Sequence, residues 1–116
     1  MAAQLEPTAV LDRLPLWSTG RTYAIAFDFD TEVLQNNYGS TPWQNAYRDV
    51  RDALFAFGFQ WQQGSVQFGG PDVTPVTCVL AVQDLQRRFA WFAPSVRDIR
   101  MLRIEESNDL GAAMGT

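Results

Sequence analysis

Apolar and polar side chains alternate across Thr22–Phe29, with Tyr23, Ile25, Phe27 and Phe29 pointing one way and Ala24, Ala26 and Asp28 the other. Side chains on a strand alternate faces, so this run predicts a strand that ends in acid, with Asp30 following on the side of Asp28. The polar stretch 36–40 (Asn36, Asn37, Tyr38, Gly39, Ser40) has loop composition. Thr41 then stands as an N-cap with Pro42 at the first helical position. Trp43, Ala46, Tyr47, Val50, Leu54 and Phe57 recur at helical spacing, and Gly58 ends the run. Residues 59–62 and 65–68 are short strand candidates around a tight turn at Gln63-Gly64. Thr74-Pro75 repeats the cap-plus-proline start for a second helix, with Cys78, Val79, Val82, Leu85 and Phe89 on its apolar face. Residues 90–95 connect to a last alternating strand over 96–105.

The order is βαββαβ. Its simplest compact solution is an α+β domain of the ferredoxin-like kind, a four-stranded antiparallel sheet with both helices on one face. The usual strand order of that arrangement, 4-1-3-2, puts the first strand in the middle. The carboxyl end of that strand, with Asp28, then lies beside Arg97 and Asp98 and beside the Gln63 turn with Ser65. The second face of the sheet stays open, and the last strand carries large apolar residues on both sides. Such patches mark interfaces, so a sheet-to-sheet homodimer is expected. The division expected along the chain is an appended arm over 1–21, one domain over 22–109, and a loose tail over 110–116. The arm holds Leu5, Val10, Leu11, Leu14, Leu16 and Trp17, a composition that suggests one short docking helix.

The 116 residues suit a single domain, and 47% of them are hydrophobic, enough for one core. No stretch is apolar enough to span a bilayer, and the first 20 residues lack the pattern of a secretory signal, so the expectation is a cytoplasmic protein without a membrane partner. The lone Cys78 excludes an internal disulfide and reads as a packed side chain. The chain has no histidine, and its nine basic residues are all arginine. That removes Ser-His-Asp and Cys-His catalysis, histidine metal sites, the P-loop lysine and Schiff-base chemistry. Acid–base work falls to Asp, Glu, Tyr or water. A net charge of −4 also argues against a generic nucleic-acid binder, which would be basic. Any such contact would run through local arginines.

Asp28 follows an apolar run and is expected to be partly buried. With Asp30 it could share a divalent metal. FDFDTEVL resembles the nucleophile motif of haloacid-dehalogenase-type phosphatases, but the chain is too short for their doubly wound domain and lacks the lysine. Arg97, Arg100 and Arg103 surround the last strand, and Arg97 is the candidate phosphate contact. Arg87 and Arg88 complement a helix C-terminus instead. Trp43, Trp61 and Trp91 read as core or anchors. Tyr38, in the polar loop, reads as an exposed platform for stacking a base.

Five stretches taken together resemble one family. YAIAFDFD (23–30), NAYRDVRDAL (45–54), GFQWQQGSVQFG (58–69), VTCVLAVQDL (76–85) and VRDIRMLRIEE (96–106) are similar, in order and spacing, to virulence-associated protein D. Residues 1–21 lie outside the likeness. The resemblance implies a ferredoxin-like homodimer, akin in fold to the small nuclease-like subunit of CRISPR spacer acquisition. It also implies a ribonuclease that acts as a toxin on mRNA, sometimes encoded beside an antitoxin, which makes an antitoxin protein a candidate partner. The family's proposed catalytic aspartate falls on Asp28, with Asp30 as an accessory acid. Two Asp28 carboxylates across a dimer cleft could hold Mg²⁺. Without metal, Asp28 could take the proton of a 2′-hydroxyl. Gln63, Ser65, Arg97, Arg100 and Tyr38 are the expected RNA-binding residues. The alternative is a non-catalytic dimeric module that holds nucleic acid or a protein in the same cleft.

Overall fold

The computed structural model describes residues 22–114. The arm expected over 1–21, with its short helix, lies outside the described residues. The elements in order are β1 (Thr22–Phe29), α1 (Thr31–Tyr38), α2 (Asn45–Phe55), β2 (Phe59–Gln63), β3 (Val66–Gly69), α3 (Pro75–Arg88), α4 (Phe92–Ser95) and β4 (Val96–Ile104), with a 3₁₀ turn at Gly111–Met114. The four strands form one antiparallel sheet in the order β2-β3-β1-β4. This α+β architecture is compatible with the ferredoxin-like arrangement, and its strand order is the one expected.

The alternation in β1 separates the two faces of the sheet. Ile25, Phe27 and Phe29 enter the core with Leu34, Val50, Leu54, Phe59, Leu85 and Phe92. On the opposite face, register places Ala24 between Phe68 and Leu102, and Ala26 between Val66 and Arg100. Cys78 is buried in the core, and burial pushes its thiol pKa up, as suits a packing residue. α3 starts as its sequence predicts: Thr74 accepts from the Thr77 amide, Thr77 returns the bond, and Pro75 opens the helix. Between α3 and β4 an apolar cleft of about 300 Å³ stays open, lined by Ile25, Cys78, Val82, Ile99 and Met101.

Two local expectations are corrected. The stretch 36–40 is not all loop, because α1 occupies Thr31–Tyr38 and ends at Gly39 with φ of 86°. Asp30 caps that helix, Glu32 sits in its first turn, and Leu34 is its buried anchor. Thr41-Pro42 does not open α2. Successive turns, in which the Asn45, Ala46 and Tyr47 amides donate to Pro42, Trp43 and Gln44, lead into a helix that begins at Asn45. The described residues therefore hold four helices rather than two, α4 being a single turn in the expected connector.

Candidate functional site

Asp28 is the last residue of β1 that faces away from the helices, and it sits directly opposite Asp98 of β4. The expectation of partial burial is overturned: the Asp28 side chain is 59% exposed. Its neighbours in the sheet end here, and β4 breaks register beside it. Asp28 pairs with Asp98, but Phe29 pairs with Val96, so Arg97 is the extra residue of a bulge. A bulge re-aims a side chain that strict alternation would send to the other face. Arg97 uses that freedom to reach Asp28, its Nε and Nη2 both lying 3.0 Å from Oδ2. The pair joins residues 69 positions apart in the chain.

Like charges facing each other across strands repel. Here each carboxylate has its own arginine. Arg100 donates from Nε to both oxygens of Asp98, at 3.2 and 2.9 Å, and this bond raises the guanidinium pKa further. The result is an exposed, neutral cluster of two acids and two arginines. Arg97 and Arg100 thus stand where the sequence places them. Asp98 also lies beside the strand end as expected, but its place directly opposite Asp28 is a matter of register and was missed from sequence. Tyr47 is a second neighbour missed from sequence. It lies against Phe27 and Phe29, and its hydroxyl pKa is raised by burial and then by the charge of Asp28.

The turn after β2 borders the same end of the sheet. The Phe27 amide donates to the Ser65 carbonyl at 3.2 Å, which ties the Gln63-Gly64-Ser65 turn to the residue before Asp28. Gly64 adopts φ of 52°, as the tight turn requires. Ser65 is thereby held beside the residue that precedes Asp28, and Gln63 opens the same turn from β2.

Asp30 and Tyr38 are placed differently. Asp30 Oδ1 accepts from the amides of Glu32 and Val33, both at 3.1 Å, so it caps α1 instead of projecting beside Asp28. Asp30→Ala should lower stability by about 1 kcal/mol, and Asp30→Ser, which keeps a cap, should restore it. Urea unfolding checks this. An accessory-acid role would instead leave Asp30→Ser with the activity defect of Asp30→Ala. Tyr38 is not in an exposed loop. It ends α1 half-buried, its hydroxyl donates to Asp49 Oδ2 at 2.5 Å, and its ring meets Trp91 edge-on at 5.2 Å. Burial first, and then the bond to Asp49, raise its pKa.

Fold and cluster together define a small α+β protein with a paired acid–arginine site at the carboxyl end of its first, central strand. No protein-family model matches the chain. Among curated proteins, Endoribonuclease VapD 2 of Riemerella anatipestifer is 51% identical over 88 residues, which span 76% of this chain and 94% of that protein. Endoribonuclease VapD homolog of Helicobacter pylori is 46% identical over 92 residues, 79% of this chain and 95% of its own length. Endoribonuclease VapD of Dichelobacter nodosus is 40% identical over 90 residues, with 78% and 94% covered. The chain belongs to the VapD family.

Proposed function

We propose that this chain is an endoribonuclease that cuts single-stranded RNA at the Asp28 cluster and serves as the toxin of a toxin–antitoxin or virulence-associated system. The names of its relatives support the activity. The observation that carries the site is the bulge that brings Arg97 onto an exposed Asp28 at the end of a rigid central strand.

The chemistry follows from the groups available. Asp28 takes the proton from a ribose 2′-hydroxyl. The 2′-oxygen bonds to phosphorus, the bond to the 5′-oxygen breaks, and that oxygen is protonated from water. The products are a 2′,3′-cyclic phosphate and a 5′-hydroxyl. Arg97 transfers its fork from Asp28 to the phosphate, where charge accumulates. Exposed ion pairs are worth little, so this exchange of partners is easy. Arg100, Gln63 and Ser65 line the approach to the same strand end.

Mg²⁺ is the candidate cofactor. The described residues contain no group of three or more metal-ligating side chains. The donor set does fit the minimal form in which Mg²⁺ is held, one or two carboxylates completed by water and substrate phosphate. Asp28 and Asp98 would hold it, and the ion would supply charge neutralisation at the phosphate.

A homodimer through the open face of the sheet would bring two Asp28 carboxylates to one cleft. Its support is Leu102, exposed on β4 with Phe68 partly exposed on β3, on the same face as the charged rows. Light scattering at micromolar concentration should give twice the chain mass, and a monomer mass would overturn this arrangement. No helix among the described residues is long and apolar enough to cross a membrane. A protein antitoxin is the expected second partner.

The activity is tested by incubating the full chain with single-stranded RNA, with and without chelator. Cleavage to cyclic-phosphate ends that survives chelation supports Asp28 as the base, and loss of cleavage on chelation supports Mg²⁺. Salt-dependent RNA binding with no turnover would instead favour a non-catalytic binding module.

A further inference from the structure

Seven arginines lie in the described residues, and five of them are paired: Arg87 and Arg88 with Asp84, Arg97 with Asp28, Arg100 with Asp98, and Arg103 with Glu105. Arg48 and Arg51 form no ion pair among the described residues. Both lie on α2, and with Phe55 they fall at positions i, i+3 and i+7, on one side of the helix. Phe55 is 67% exposed. Across from this side stands Trp61 of β2, which the sequence suggests is core but which is 51% exposed.

Trp61 is held in a fixed pose. Its Nε1 donates to the Gly64 carbonyl at 2.9 Å, and the Arg51 guanidinium carbon lies 4.9 Å from its ring centroid. Half of the indole surface remains open to solvent in this pose. An indole locked at its N–H, backed by a cation and left open, has the form of a stacking platform. Arg51 against its ring, with Arg48 one turn back on the same side of α2, supplies charge of the kind a phosphate backbone requires. In a chain of net charge −4, an arginine without an ion-pair partner lying on an exposed aromatic ring has the character of a nucleic-acid contact.

The position also fits. The Gly64 turn that anchors the indole is the turn tied to Phe27, next to Asp28. β2 is an edge strand, two strands or about 10 Å from β1 at the usual interstrand spacing; Trp61 stands on its helix side and Asp28 on the other face, so a bound strand would pass round this edge at the Gly64 turn. We propose that Trp61, Arg51 and Arg48 form a base-stacking subsite for single-stranded RNA flanking the scissile phosphate. The subsite deepens the endoribonuclease reading and rests on it. Trp61 takes the role that sequence reasoning gave to Tyr38, whose ring and hydroxyl are both engaged elsewhere.

The test uses the full chain carrying Asp28→Asn, so that RNA is bound without being cut, and a short labelled single-stranded oligoribonucleotide. Trp61→Ala in that background should weaken binding by about 5- to 150-fold, the range for loss of one stacked base. Trp61→Phe, which keeps a ring, should recover much of the affinity but abolish the Trp61 share of fluorescence quenching by RNA. Arg48→Ala with Arg51→Ala should flatten the salt dependence of binding. In the cleaving enzyme, Trp61→Phe should raise KM more than it lowers kcat. RNA cleavage by the intact chain, together with binding and quenching unchanged in Trp61→Phe and Trp61→Ala, would overturn the subsite alone. Failure of the intact chain to bind or cut RNA would overturn the endoribonuclease reading and the subsite with it. A Trp61→Ala chain that melts early would shift the decision to Trp61→Phe, whose unchanged quenching would equally overturn the subsite.

Discussion

Asp28→Asn should reduce RNA cleavage by at least about a hundredfold while leaving the melting temperature nearly unchanged. Both arginines are donors without an acceptor, and Asp98 has both oxygens engaged by Arg100, whereas Arg97 engages only Oδ2 of Asp28, which leaves Asp28 as the base. Loss of a positioned general base costs about 10²–10⁴ in rate. Asparagine has the same shape and can still accept a bond from Arg97. The side chain is 59% exposed, so the exchange leaves no buried group without a partner. Fold and chemistry are thereby separated. Arg97→Ala should cost about 10²–10³, through lost stabilisation of the charge that builds on the phosphate. Gel analysis of labelled RNA, with chelator in a parallel arm, measures each variant. Cleavage by Asp28→Asn at the rate of the intact chain would remove Asp28 from the mechanism and point to a contaminating nuclease.

Phe29→Ala should have the largest effect on stability, about 3–5 kcal/mol. Phe29 is 2% exposed and lies between Asp28 and the helix cap Asp30. Its ring meets Phe27 at 5.1 Å, Tyr47 at 5.2 Å, Phe92 at 5.9 Å and Trp91 at 6.1 Å. Truncation would leave a cavity bounded by four stiff rings that cannot collapse to fill it. Small domains are stable by only about 5–15 kcal/mol, so much of the margin would be lost. Thermal unfolding should shift down by more than about 12 °C. A shift of only a few degrees would mean that the aromatic cluster is not the keystone of this end of the sheet.

The parts that sequence made legible are those governed by period and local chemistry. Alternation gave β1 its bounds and its two faces, and Thr74-Pro75 gave α3 its start. Element order alone then led to the strand order, and with it to Asp28 beside Arg97 and the Gly64 turn. What stayed hidden depended on register or on weak local signals. Helix α1 has eight residues and one buried anchor, so Asn36 and Asn37 outweighed the cap at Asp30 and the acidic first turn that were present in the sequence. The bulge at Arg97 breaks the alternation that strand reading assumes, just past the Asp28–Asp98 pair, which closes the regular register of β1 and β4. Trp61 and Tyr38 exchanged expected environments, because polarity of the surrounding residues does not report what a neighbouring helix covers.

The span of 69 residues between Asp28 and Arg97 has a consequence for biosynthesis. Asp28 is made well before the bulge that completes its site, which belongs to β4. At roughly 5–20 residues per second, Arg97 is made about 3–14 s after Asp28. Until β4 pairs with β1, the nascent chain carries an aspartate without its arginine. The site is therefore assembled only when β4 docks on β1, so that folding of the sheet, rather than synthesis of Asp28, sets when its arginine is in place.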